Sequence, residues 1–297
     1  MDDYLIYTDS AADIPAHYYQ EYDIRIVPME FSLNGETDEF HTEGPDHDKV
    51  CDALYAAMRQ GADVHTSQIT EYKYIEEWTP QLKAGHDILY LAFSSGMSAT
   101  WQNACMAAAS LMENFPERTV RVIDSKAATC GQGVLAVTMA MNKAKGMSLK
   151  ENGDWMDAHI RYICHRFTVG DLGYLHKGGR VSAGVALVGT MLNVKPLLII
   201  DSEGKLQVVG KVRGEKAAIK ALVKDTVSQL GAPDVPKVFF VGHTSKPEGA
   251  QKLKQMVLEA CGPDTRVEVM CETPIIGVHT GPEFYCVCGW GMHQKVD

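Results

Sequence analysis

The sequence predicts an α/β protein of two domains, an N-terminal Rossmann-like parallel sheet with helices on both faces and a C-terminal α+β domain. Three observations predict it. Short apolar, β-rich runs alternate with amphipathic helical patterns through the first half. Strands separated by helices need crossover connections, which favour parallel pairing and a sheet buried on both faces. Past residue 165 the pattern changes to neighbouring strands and glycine-rich turns, and 297 residues is about twice the usual single-domain length.

In chain order, Tyr4 to Thr8, Ile24 to Pro28, Asp87 to Phe93 and Thr119 to Ile123 read as strands. A helix is predicted from Asp48 to Gln60, because Val50, Ala53, Leu54, Ala57 and Met58 recur on one face and Gly61 sits at the C-cap. Another begins at Thr70, carries Ile75, Trp78 and Leu82, and stops at Gly85. Gly133 to Lys145 is helical, and Ser148 with Glu151 three residues on forms a capping box for a helix to about His165. That stretch marks the join between domain 1–165 and domain 166–297. Beyond it come a strand Phe167 to Gly170, a glycine-rich segment to Gly184 and a small-residue helix Ala183 to Leu192. Strands Pro196 to Ile200 and Lys205 to Val212 are joined by a turn as a hairpin. Helix Glu215 to Leu230, strand Lys237 to Gly242, helix Pro247 to Ala260 and strands Arg266 to Met270 and Phe284 to Cys288 complete the chain.

Composition narrows the function. Apolar residues at 45% and charged residues at 22% describe an ordinary globular chain. With 28 Lys and Arg against 38 Asp and Glu, the net charge of −10 disfavours nucleic acid. No apolar run spans a bilayer and the first residues are acidic where a signal peptide would be basic, so the expected location is cytoplasmic, without stable membrane insertion. The eight cysteines show no zinc-finger or disulfide spacing and read as reduced thiols. No metal-ligand spacing and no Walker A sequence appear, so neither a metal nor a nucleotide is predicted. Gly131-Gln132-Gly133-Val134-Leu135-Ala136 matches a dinucleotide fingerprint, but it lies too far from the preceding strand and reads as a close-packed helix start.

Four loops after predicted strands are rich in hydroxyls: Thr8-Asp9-Ser10, Thr66-Ser67-Gln68, Ser94 to Thr100, and Asp124-Ser125. In a parallel sheet such loops converge on one edge, and the helix opening at Ala99 offers free N–H groups beside Ser98, so a small anion site is predicted. His65 and His279 are the available bases. A hydrolase triad of Ser95 or Ser98 with His279 and Asp9 or Asp124 is the alternative, although the Gly-x-Ser-x-Gly elbow is lacking. The segment Tyr174 to Ser182 together with Lys195, Lys211, Arg213 and Lys216 forms a local basic surface, suited to an acidic partner or a phosphate group.

Taken in order, Thr8 to Pro15, Thr66-Ser67-Gln68, Ser94 to Thr100, Asp124-Ser125, Tyr174 to Ser182, Lys195-Pro196, Lys211-Val212-Arg213 and His279-Thr280-Gly281-Pro282 resemble the DegV family of bacterial fatty-acid-binding proteins. The resemblance runs nearly end to end. It implies a non-catalytic carrier holding a long-chain fatty acid, such as palmitate or a C18 acid, between the domains, with no cofactor. Thr66 and Ser98 match the head-group threonine and serine, and His279 the nearby histidine; Ser67, Ser95 and Thr280 fall beside them as further ligand-binding residues. Arg180 matches the arginine of the Gly-Gly-Arg motif, and with Lys211 and Arg213 it implies docking of a fatty acid kinase. Two departures from the family pattern bear on the pocket mouth: Ile69 where proline is usual, and Glu283-Phe284-Tyr285 after His-Thr-Gly-Pro.

Overall fold

The computed structural model describes residues 4–40, 47–187, 193–227, 235–262 and 264–291. The first half runs β1 (Tyr4–Asp9), α1 (Ala16–Tyr22), β2 (Ile24–Val27), β3 (Met29–Leu33), β4 (Glu36–Phe40), α2 (His47–Arg59), β5 (Val64–Thr66), α3 (Glu71–Lys83), β6 (Asp87–Ala92), α4 (Thr100–Asn114), β7 (Val120–Asp124), α5 (Thr129–Ala144) and α6 (Leu149–His159). The second half runs β8 (Ile163–Thr168), α7 (Leu172–Lys177), α8 (Ala183–Leu187), β9 (Val194–Ile200), β10 (Leu206–Arg213), α9 (Glu215–Val227), β11 (Val238–His243), α10 (Pro247–Cys261), β12 (Arg266–Cys271), α11 (Pro274–Thr280) and β13 (Tyr285–Trp290).

Strands β2-β1-β6-β7 form the parallel sheet that the alternation predicts. Its strands are apolar runs because both faces are covered. A six-stranded mixed sheet, β10-β9-β8-β13-β11-β12, carries the second half; β9 and β10 pair antiparallel as the hairpin reading requires. A third sheet, β4-β3-β5, is antiparallel and has no counterpart in the sequence reading.

Local signals explain most boundaries. Thr70 caps α3 by accepting from the Lys73 N–H, and Gly61 and Gly85 stop the helices before them at positive φ. Ser148 and Glu151 form the capping box at α6. That helix stops at His159, however, not near His165: a turn of 3-10 helix follows and Ile163 to Thr168 is a strand. The β-branched and aromatic residues there pair with β13, which outweighs local helix propensity. The helix predicted over Ala183 to Leu192 extends to Leu187, and its remainder, like the end of the helix predicted to Leu230, lies outside the described residues.

Helix α5 is buried at 13 of its 16 positions, as an all-round apolar helix must be. It packs against β1 of the parallel sheet and against β8, β11 and β13 of the mixed sheet, so one core runs through both. Gly131 and Gly133 of the fingerprint-like stretch sit in this helix, and a side chain at Gly133 would collide with the Asp13 carbonyl. They serve packing. A smaller core lies between α9, α10 and the far side of the mixed sheet.

Candidate functional site

A cavity of about 490 Å³ opens between the two halves, a volume in the usual range for ligand pockets. Its wall is mostly apolar. Met29, Phe93, Phe167, Leu175, Ile276 and Phe284 come from six different elements and loops of both halves. Polar groups are few: Thr66, Ser67 and Gln68 from the end of β5, Ser98 before α4, Arg180 after α7, and His279 and Thr280 at the end of α11, with Thr129 and His165 also in the lining.

Two of these polar groups are joined directly, and others are tied to the backbone around them. Thr66 Oγ1 lies 2.8 Å from His279 Nε2. Ser98 Oγ accepts from the Thr100 N–H at 3.2 Å and lies 2.8 Å from Thr100 Oγ1, so it tethers the first turn of α4 although Ala99 is the formal cap. Arg180 Nε donates to the Met97 carbonyl at 3.2 Å, and its Nη1 to the Gly178 carbonyl. Gly281 closes α11 at φ +78°, and a side chain there would meet the Tyr174 ring at 2.5 Å, so only glycine lets this turn seat against α7.

Electrostatics favour an anion here. Burial pushes His279 down to about 4, helped by nearby Arg180 and His65, so the ring is neutral at neutral pH. Burial also lowers Arg180. Its guanidinium stays charged, and among the described residues it makes no ion pair. A half-buried cation with only carbonyl partners is an unbalanced charge.

The four hydroxyl loops divide. Thr66-Ser67-Gln68 and Ser98 reach the cavity, whereas the other two loops knit the parallel sheet. Asp9 is fully buried, and its carboxylate accepts from the Phe93 N–H, Tyr90 hydroxyl, Gln132 amide and Ala11 N–H. Thr8 donates to the Leu91 carbonyl, and Asp124 accepts from the Ser95 and Lys126 N–H groups. Ser95 is not part of the cavity wall. Ser94 is pinned to the Gly204 carbonyl of the β9–β10 turn, and Ser95 Oγ accepts from Lys126 Nζ at 2.9 Å instead.

The triad of the alternative reading is not assembled. His279 Nε2 is engaged by Thr66, Ser98 by Thr100, and both candidate aspartates by other donors. His65 is turned outward onto Asp63. Of the departures in the family pattern, Phe284 lines the cavity, while Glu283 pairs with Lys195 at 2.7 Å and Tyr285 donates to Glu215. Lys195 is therefore neutralised, whereas Lys211 and Arg213 point outward from the edge strand β10. Among the described residues no helix is long and apolar enough to cross a membrane.

Sequence reasoning missed Ile275, Ile276, His165 and Thr129 in the wall. Pro274, at the first position of α11, is the signal that would have placed the two isoleucines on a helix.

Known proteins share this architecture. A family model described as "Uncharacterised protein, DegV family" matches residues 4–289. The DegV domain-containing protein YteA of Lactococcus lactis is 36% identical over 278 residues, 94% of each chain. A DegV family protein from Thermus thermophilus, described by its fatty acid binding, superposes with a TM-score of 0.84 at 27% identity over 97% of this chain and 99% of that one. A DegV lipid binding protein from Thermotoga maritima shares the fold with a TM-score of 0.83 at 23% identity, over 99% and 100%.

Proposed function

The chain belongs to the DegV family, and from that premise we propose that it binds one long-chain fatty acid in the cavity between its halves, without catalytic turnover, and presents it to an acyl-handling partner. The cavity carries this reading: an apolar wall with one polar end, where hydroxyls, a neutral imidazole and a guanidinium without an ion pair among the described residues meet. The Thermus relative, described as fatty-acid-binding, supports it.

The energetics divide along the molecule. Each buried methylene is worth ~0.8 kcal/mol, so a tail of about 14 methylenes offers roughly 11 kcal/mol before ordering costs. The tail supplies affinity and the polar end supplies direction. With its proton on Nε2, His279 donates to Thr66 Oγ1, and the Thr66 hydroxyl hydrogen is then free for a carboxylate oxygen. Ser67 and Ser98 add hydroxyls, Arg180 adds charge, and Thr280 lines the same end.

For presentation, Arg180 also borders two smaller recesses beside the cavity, and Lys211 and Arg213 lie exposed on the edge of the mixed sheet. An acidic face on a fatty acid kinase subunit fits that surface.

Mass spectrometry of an organic extract of the denatured protein tests the ligand directly. A stoichiometric long-chain acid, absent from a control protein of the same host, is the expected result. An empty extract with no binding of added palmitate or oleate overturns the reading, and hydrolysis of acyl esters that stops in Ser98→Ala would replace it with the esterase alternative.

A further inference from the structure

Behind the cavity wall, three fully buried side chains from distant parts of the chain converge: Cys130 in the first turn of α5, Glu272 just after β12, and Cys286 on β13. We propose that they form a binding site for one thiophilic divalent cation, zinc being the best fit.

The distances match a coordination sphere. Cys130 Sγ lies 3.5 Å and Cys286 Sγ 3.4 Å from the same oxygen, Glu272 Oε1, and the three ligand atoms lie within 4.8 Å of one another. A tetrahedral zinc with Zn–S of about 2.3 Å and Zn–O of about 2.0 Å sets neighbouring S and O roughly 3.5 Å apart. Two thiolates and a carboxylate suit zinc far better than magnesium or calcium, which want oxygen alone.

The surroundings are built for the carboxylate. Thr129 Oγ1 donates to Glu272 Oε2, which turns Oε1 toward the two sulfurs, as an outer partner does for a metal-bound carboxylate. Any side chain at Gly242 would overlap Glu272 Oε1 and come within 2.9 Å of Cys130 Sγ, so the glycine makes room for the cluster. Asp13, 2% exposed, brings a second carboxyl beside Glu272. Without an ion, both thiols donate to Glu272 Oε1. An incoming ion replaces the two thiol protons, which pass to solvent, and both sulfurs become thiolates. Since Cys286 and Thr129 also form part of the cavity wall, the fourth position is open to a water or a ligand oxygen from that side.

The test uses the untagged, reduced full chain, stripped with EDTA, equilibrated with zinc chloride and desalted. Elemental analysis is expected to find about one zinc per chain, and cobalt(II) in its place to show thiolate-to-metal charge-transfer absorption. Cys130→Ser and Cys286→Ser should each weaken retention at least tenfold, while Cys105→Ser and Cys261→Ser, both outside the cluster, retain it. A measurement free of variants is native mass spectrometry of the wild-type chain, where zinc loading should add the mass of one ion less the two displaced thiol protons. No retained ion, full retention in a folded Cys130→Ser/Cys286→Ser chain, or an ion bound without loss of the two thiol protons overturns the assignment.

Discussion

Thr66 Oγ1 and His279 Nε2 lie 2.8 Å apart although 213 residues separate them in sequence. The bond ties the end of β5 to the last turn of α11, so the polar end of the cavity exists only when the small antiparallel sheet and the second half of the chain are docked together. Binding and tertiary assembly share this contact.

Thr66→Val keeps the side chain's shape and removes its hydroxyl, and Ser98→Ala does the same before α4. Each is expected to weaken fatty-acid binding about fivefold to tenfold, the equivalent of about 1 kcal/mol for one hydrogen bond. Isothermal titration calorimetry with a delipidated chain reads the change, with circular dichroism as the check on folding. Wild-type affinity in both variants would move the head group elsewhere.

Arg180→Met removes a charge that has no carboxylate partner among the described residues, while keeping most of the apolar stem. A charge-assisted contact is worth about 1.5–3 kcal/mol, so affinity should fall at least tenfold. Its dependence on salt should flatten, whereas Arg180→Lys restores part of both. A salt dependence unchanged in Arg180→Met would show that the guanidinium does not meet the carboxylate.

His279 links stability to pH. Its pKa falls from 6.5 in the unfolded chain to about 4 in the native one. Between those values the unfolded chain takes up a proton that the folded chain refuses, so this residue's contribution is full above pH 6.5 and is lost as pH falls toward 4, by up to about 3 kcal/mol. Urea midpoints at pH 7.5 and 5 for wild type and His279→Gln measure it. The wild type should lose more stability across that interval; equal losses would remove His279 from the account.

Ala128 stands in the cavity wall just before α5 and is 6% exposed. Ala128→Leu fills tail space and should shift preference toward shorter acids, with a stability cost of about 1–3 kcal/mol for overpacking. Competition between C12 and C18 acids on the variant decides it, and an unaltered preference would place the tail along another wall.

Periodicity was enough to find the strands of the parallel sheet and most helices, because each buries one repeating face. The β3–β4 hairpin escaped although Met29, Phe31 and Leu33 alternate with Glu30 and Ser32, because β4, with Glu36, Asp38 and Glu39, shows no apolar face to partner that strand. Its Asn34-Gly35 turn, with both residues at positive φ, was the available sign. The hydroxyl loops show a similar limit. Their gathering at strand ends follows from sheet topology, but which hydroxyls face the cavity depends on the Ser94 contact with Gly204, between residues 110 positions apart. The cluster of Cys130, Glu272 and Cys286 is equally invisible in spacing, since its members meet only through α5 and β13.

Because α5 is shared by both sheets, the two halves are expected to melt together. Heating should produce one cooperative transition, and a bound acid should raise its midpoint for the whole chain by mass action. Occupancy is thereby readable from bulk thermal denaturation alone, with no label near the ligand.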